Sequence, residues 1–234
     1  MRFGSITTEI IADGLIFNID AANRASYPVQ RTLLTSESGS CFNTLDLSQS
    51  GSFISDPTFI QSPSPSFEFD GVDDYVGLGN PTDLQITGAF SFSAWVKTTS
   101  NTYDAIYFKG NSIALSDIYI RMQNNGTIRF FINNVSKNVT SSTTVDDGNW
   151  HHIMCVYVPS ISMTLYIDGA QDAQNTSAIP TAINNNYGNI TLGSDRGSSQ
   201  FWEGNISNFH IYNRTLSSTE VIHNYNALKS RFGL

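Results

Sequence analysis

Charge is scarce in this sequence. Only 14% of its 234 residues are Asp, Glu, Lys or Arg, against a usual share of roughly a quarter. Basic residues are scarcest: 12 Lys and Arg against 20 Asp and Glu leave a formal net charge of −8. With so few cations, and none clustered, the chain lacks the electrostatic footprint of a nucleic-acid binder. No apolar run approaches the roughly 18 residues of a transmembrane helix, so no membrane insertion is expected. The opening residues, Met-Arg-Phe-Gly-Ser-Ile-Thr-Thr-Glu, lack the apolar core of a secretory signal, which points to synthesis in a reducing cytoplasm. Two cysteines, Cys41 and Cys155, are too few for a disulfide framework. Cys155 sits in an apolar run and reads as a small core residue rather than a nucleophile. Glycine-rich phosphate loops, dinucleotide fingerprints and Gly-x-Ser-x-Gly elbows are all missing.

Uncharged polar residues fill the gap. Ser, Thr and Asn together number 73. They are weak helix formers and good turn residues, so the composition favours a β-rich, loop-rich domain. Period-two alternation supports this. In Phe90-Ser-Phe-Ser-Ala-Trp-Val-Lys97 one face carries Phe90, Phe92, Ala94 and Val96, the other Ser91, Ser93, Trp95 and Lys97. Leu165 and Ile167 share a face before an Asp168-Gly169 turn, and 127–132 is a strand flanked by Asn-Asn-Gly and Asn-Asn. The run 152–158 is apolar on both faces, as a strand covered on both sides would be. Further strands are expected at 14–19, 66–69, 73–78, 103–108, 117–122, 188–193 and 205–212. Short, regularly spaced strands predict an all-β, two-sheet antiparallel sandwich or jelly roll.

Residues 1–65 are less regular. They read as a strand at 14–20 and a Ser/Gly/Pro-rich stretch of loops and short strands, packed on a main domain at 66–234. One short C-terminal helix is expected at 217–230. Ser217-Ser-Thr-Glu220 forms a capping box, Val221, Tyr225 and Leu228 make an apolar stripe, and Gly233 is a stop signal. Lys229 and Arg231 suit the negative end of the helix dipole.

Five stretches fall into a familiar order: Phe67-Glu-Phe-Asp-Gly-Val-Asp-Asp-Tyr-Val76, Phe90-Ser-Phe-Ser-Ala-Trp-Val96, Gly148-Asn-Trp-His-His152, Leu165-Tyr-Ile-Asp-Gly169 and a run from Gly204 to Ser217. Together they resemble the laminin-G-like branch of the concanavalin A-like lectin/glucanase superfamily, over about residues 66–230. The resemblance implies a two-sheet jelly roll. The upstream segment Asp13–Pro28 is similar to one that precedes this domain in virion structural proteins of tailed phages.

Several residues could carry chemistry. Glu68 and Asp70 share a strand face about 7 Å apart, near the carboxylate spacing of roughly 5–5.5 Å in a retaining glycosidase. Glucanases of the superfamily carry a third carboxylate on that strand. Here position 72 is Val, so the strand reads as structural. Asp70, Asp73 and Asp74 supply hard oxygen ligands in a turn and could hold Ca²⁺, as laminin-G-like and pentraxin-like relatives often do. Relatives that carry an acidic residue near the C-terminus have it where this chain has Ser207. The alternative is an Asx-rich turn of solvated carboxylates. His151 and His152 point to opposite strand faces, which argues against a shared metal or a histidine general base. Trp95, Tyr103, Tyr107, Tyr187 and Trp202 are candidates for stacking on sugars, against an alternative of ordinary packing.

The reading that joins these features is a non-enzymatic virion surface protein of a tailed phage, on capsid or tail, with host-surface glycans as ligands. Its partners would be other virion proteins or symmetry mates, and it would be made in the host cytoplasm. No heptad run, collagen-like repeat or β-helical shaft appears, which favours a decoration or cement role over a fibre. The alternatives are a bacterial carbohydrate-binding adhesion module and a glycan hydrolase or lyase.

Overall fold

The computed structural model describes residues 10–23, 25, 40–46, 48–112, 114, 116–185 and 188–234. Among them sixteen strands run in order: β1 Leu15–Asp20, β2 Ser40–Phe42, β3 Ser50–Ile54, β4 Thr58–Ile60, β5 Ser66–Asp70, β6 Tyr75–Gly79, β7 Phe90–Lys97 and β8 Ala105–Gly110. Then come β9 Ser116–Met122, β10 Thr127–Ile132, β11 Asn134–Thr144, β12 Trp150–Val158, β13 Ser162–Ile167, β14 Ala170–Asn175, β15 Ile190–Leu192 and β16 Glu203–Tyr212. The described residues hold a single α-helix, α1 Ser218–Leu228, which continues into a 3₁₀ turn at Lys229–Phe232.

The strands form two eight-stranded antiparallel sheets. The first has the order β14-β13-β12-β7-β16-β5-β4, with β1 also paired to β16; the second runs β11-β10-β9-β8-β15-β6-β3-β2. Phe90, Phe92, Ala94 and Val96 of β7 all face the core, as do Leu165 and Ile167 of β13. They meet Tyr107, Ile118, Ile120, Phe130 and Ile132 from the opposite sheet. The ring centroids of Phe92 and Tyr107 lie 5.3 Å apart across the interface. Alternation therefore does here what the sandwich architecture requires.

The described residues before position 66 contribute strands to both sheets. Strand β1 pairs with β16, β4 with β5, and β3 with both β2 and β6. The Ser-rich stretch thus completes one edge of each sheet. A turn closed by the Asn43 amide on the Gln49 carbonyl joins β2 to β3, and Pro57 separates β3 from β4.

The polar-looking face of β7 is also buried. Ser91, Ser93 and Trp95 are each 0% exposed, because the segment from Arg214 through α1 and its 3₁₀ extension lies across the outside of the first sheet. The Ser91 hydroxyl donates to the Arg214 carbonyl (2.8 Å) and accepts from the Leu216 amide (3.0 Å). Trp95 stacks on Phe232 at 4.2 Å and on Tyr225 at 5.6 Å. The capping box is present: Ser217 Oγ accepts from the Glu220 amide and the Glu220 carboxylate accepts from the Ser217 amide. Gly233 adopts a left-handed φ of +79° and ends the run. Arg231 does more than face the dipole, for it pairs with Asp20 at 2.7 Å and ties the C-terminus to β1.

Candidate functional site

The β5–β6 turn gathers the acidic residues. The Asp70 carboxylate accepts from the Val72 and Asp73 amides at 2.8 and 3.3 Å, and Asp74 Oδ2 accepts from the Asp70 amide at 3.0 Å. Gly71 sits at φ +76° with the Glu203 side chain directly over it. One carboxylate oxygen from each of Asp70, Asp73 and Asp74 lies within 4.8 Å of the others. Asp74 is only 4% exposed, and its Oδ1 is buried without a hydrogen-bond partner. Burial, with help from the neighbouring carboxylates, pushes its pKa up to about 6. A buried oxygen left without a donor, beside two more carboxylates, fits a hard divalent cation.

Beside this turn an open cleft of about 480 Å³ crosses β5, β16 and β7. Glu68, Asp70, Asp74 and Glu203 line it, together with Lys97 and Asn205. Glu68 and Asp70 remain exposed on β5, but the position that would carry a third carboxylate is Val72, 68% exposed at the tip of the turn.

A serine–histidine pair also exists. Ser93 Oγ and His152 Nε2 are 3.0 Å apart. Both are buried, His152 Nδ1 has no partner, and Trp95 lies over the imidazole at 5.2 Å. Burial depresses the His152 pKa to about 3. A substrate has no path to this pair, and no acceptor among the described residues orients the ring through Nδ1, as a catalytic triad would need. His151 turns the other way, as strand geometry requires, and contacts Asp168 (2.8 Å) and Asp147 (3.1 Å). Its pKa is raised, chiefly by the hydrogen bond to Asp168.

The aromatic candidates separate sharply. Trp95, Tyr107 and Trp202 are each 0% exposed. Trp95 is sealed under the helix, while Tyr107 and Trp202 belong to the core, so these three cannot offer a ring face to a sugar. Tyr187 lies outside the described residues. Tyr103 alone of the four described is open, at 44% exposure.

Tyr103 stands on the outside of the second sheet beside residues that the sequence alone does not single out. The Arg121 guanidinium lies 4.7 Å from the Tyr103 ring centroid. It also reaches the rings of Tyr119 (5.5 Å) and Phe131 (5.4 Å), and Arg129 reaches Phe131 at 5.0 Å. Phe108, Tyr119 and Phe131 form a small buried aromatic cluster beneath. Gln200 closes one side: its Oε1 accepts from Tyr119 Oη and, at 3.1 Å, from Arg121 Nη1. A signal for this group does exist in the sequence. Arg121 and Arg129 are equidistant from Asn125 in the Asn-Asn-Gly turn, and a hairpin closed there sets them opposite one another.

The chain matches the laminin-G-like family described as the concanavalin A-like lectin/glucanases superfamily over residues 70–222, more than half its length. It belongs to that superfamily. No curated protein matches the sequence. Solved structures share the fold at low identity. The binding domain of Paraclostridial Mosquitocidal Protein 1 aligns with a TM-score of 0.67 and 14% identity, covering 92% of this chain and 52% of that one. The binding domain of Botulinum Neurotoxin DC in complex with SialylT aligns with a TM-score of 0.67 at 13% identity, covering 93% and 52%. This laminin-G-like chain thus spans about half the length of those toxin domains. A third structure, the Ruminococcus gnavus IT-sialidase CBM40 bound to alpha2,3 sialyllactose, aligns with a TM-score of 0.54 and 16% identity, covering 66% of this chain and 95% of that one.

Proposed function

We propose that this chain is a non-catalytic glycan-binding module carried on the surface of a tailed-phage particle. The observation that supports glycan binding most directly is Tyr103. It is an exposed ring fixed by the Arg121 guanidinium at 4.7 Å, and an aromatic face with hydrogen-bonding groups around it is what a sugar requires. Fold relatives bound to sialylated sugars fit the same reading. The absence of catalysis is supported by the sealed Ser93–His152 pair and by Val72 in place of a third carboxylate on the β5 side. Placement on a virion rests on the resemblance of the Asp13–Pro28 segment, with other virion proteins or symmetry mates as partners. Ca²⁺ held by Asp70, Asp73 and Asp74 would cross-link the β5–β6 turn, a structural role away from Tyr103.

A glycan array probed with the purified chain tests the binding. At least one glycan should be retained, and Tyr103→Ala should weaken retention tenfold or more; an array without signal sinks the reading. Mass spectrometry of purified particles tests placement. Copy numbers in the hundreds would indicate capsid decoration, a few dozen a tail position, and absence would end the virion assignment.

A further inference from the structure

We propose that the outer face of the second sheet selects anionic sugars, seating a carboxylate or sulfate group between Arg121 and Arg129 beside Tyr103. This rests on the glycan-binding reading and adds the charge class of the ligand.

The argument begins with the pairing of β9 and β10. Arg129 stands directly opposite Arg121 in the register. Like charges directly opposite on neighbouring strands destabilise a sheet. Here the cost arises in a chain of net charge −8 with only 12 basic residues, where a carboxylate partner would be easy to supply. The other described arginines have one. Arg196 pairs with Asp195, Arg214 with Asp13 and Glu220, and Arg231 with Asp20. Among the described residues, Arg121 and Arg129 form no ion pair. Their polar partners are uncharged: Gln200 Oε1 and the Tyr119 hydroxyl for Arg121, and Asn138 Oδ1, at 3.1 Å, for Arg129. Arg121 Nε is buried with no acceptor. Burial and the charge of Arg121 both lower the pKa of Arg129, the electrostatic mark of two cations sharing one site.

Both guanidinium groups are held in place. Each lies on the ring of Phe131, at 5.4 and 5.0 Å, over an apolar floor that weakens solvent screening. A carboxylate or sulfate group entering between them would replace a repulsion with charge-assisted hydrogen bonds, for which the guanidinium fork is suited. Tyr103 distinguishes a sugar from a bare ion, because its exposed ring adjoins the same pair. The acidic cleft on the first sheet has the opposite character, with four carboxylates to one lysine. Long-range repulsion from the net charge keeps each contact modest, and many copies on one surface would compensate through avidity.

The test is titration of the full chain at low salt with 3′-sialyllactose, glucuronate and galactose 6-sulfate. Lactose, glucose and galactose are the neutral counterparts, and inorganic sulfate the bare ion. At least one anionic sugar should bind tenfold or more tightly than its counterpart, with the advantage shrinking as salt rises. Arg129→Gln and Arg121→Gln should each remove that advantage, and Arg129→Lys should restore part of it. Arg129→Gln should leave the melting temperature unchanged or higher, since it relieves repulsion; this separates lost binding from lost fold. Neutral and anionic sugars bound equally, with sensitivity to Tyr103→Ala, would overturn charge selection and leave glycan binding standing. Sulfate bound without any sugar, or nothing bound at all, would overturn charge selection, while the glycan array decides separately whether glycan binding stands.

Discussion

The two sheets treat their outer faces differently. On the first, the chain covers its own aromatic residue: Trp95 lies beneath Phe232 and Tyr225 and is 0% exposed. On the second, the aromatic cluster of Phe108, Tyr119 and Phe131 is roofed by side chains of its own sheet and by Gln200, and Tyr103 and two arginines are left toward solvent. The difference shows that a residue type does not announce a site. A tryptophan on the solvent-side phase of a strand serves as packing because a helix in the last segment of the chain comes back to cover it. A tyrosine just ahead of β8 stays open because no helix crosses that side of the second sheet among the described residues.

The strongest way to break this comparison is to exchange the roles. Trp95→Ala should cost about 3–5 kcal/mol of unfolding free energy, as large-to-small changes of buried aromatic residues do. Tyr103→Ala should stay within about 0.5 kcal/mol, as exposed positions do. Denaturant titration of the two variants checks this, and similar losses would mean that the two faces are not distinct.

Acid should discriminate the faces next. His210 and His152 lie on the helix-covered face, and burial depresses their pKa values to about 4 and about 3. In the unfolded chain histidines titrate near 6.5, so the unfolded state binds more protons below about that pH. The contribution of these two histidines should be constant above about pH 6.5 and fall as pH drops toward 4. The contribution from His210 is on the order of 3 kcal/mol, since a pKa that differs by one between the folded and unfolded chain is worth about 1.4 kcal/mol. Asp74 and His151, whose pKa values are raised, gain stability as pH falls and oppose this in wild type and variant alike, so between pH 4 and 7 the unfolding free energy of His210→Gln should fall less on acidification than that of wild type. An unchanged slope in His210→Gln would place the acid sensitivity elsewhere.

Much of this is legible in the sequence, for identifiable reasons. The inward positions of β7 and β13 follow from period-two alternation, and the helix start from Ser217 and Glu220, because both patterns are local. What covers a face is not local. Nothing within residues 90–97 indicates that α1 will bury Trp95, so Trp95, Trp202 and Tyr107 read as equals of Tyr103. The arginine pair requires a register, which the Asn124-Asn125-Gly126 turn sets only once β9 and β10 are joined as a hairpin. The acidic turn is legible as a cluster. The buried, donorless Oδ1 of Asp74 becomes visible only in three dimensions.

The helix that makes the first sheet's cover depends on its cap. Ser217 Oγ accepts from the Glu220 amide while the Glu220 carboxylate accepts from the Ser217 amide and binds Arg214 at 2.7 Å. Ser217→Ala should cost about 1 kcal/mol. Hydrogen exchange should quicken first in the opening turn of α1 and leave β9 and β10 untouched. Equal quickening in the second sheet would show that the cover and the open face are coupled.

An effect of similar size to the cap is expected at the rim of the first sheet, and it sharpens the contrast in charge. Asp70, Asp73 and Asp74 present oxygens within 4.8 Å of one another, and Asp74 has a buried oxygen with no donor. A cation bound there would act only on the folded chain and stabilise it by mass action. For a dissociation constant of roughly 0.1–1 mM, usual for exposed calcium modules, about 1 mM Ca²⁺ adds about 0.4–1.4 kcal/mol. Asp74→Asn should abolish that gain, because the amide supplies one weaker oxygen in place of a charged pair. The same calcium should leave anionic-sugar binding at Arg121 and Arg129 unaltered, since the acidic turn borders the first-sheet cleft and the arginines lie outside the second. Melting curves in chelator and in millimolar Ca²⁺, run on wild type and Asp74→Asn, give the first answer, and sugar titrations in the same two buffers give the second. Superimposable wild-type curves would mean that the turn is satisfied by its own amides. A calcium requirement for sugar binding would mean that one site, built across the two sheets, had been read as two.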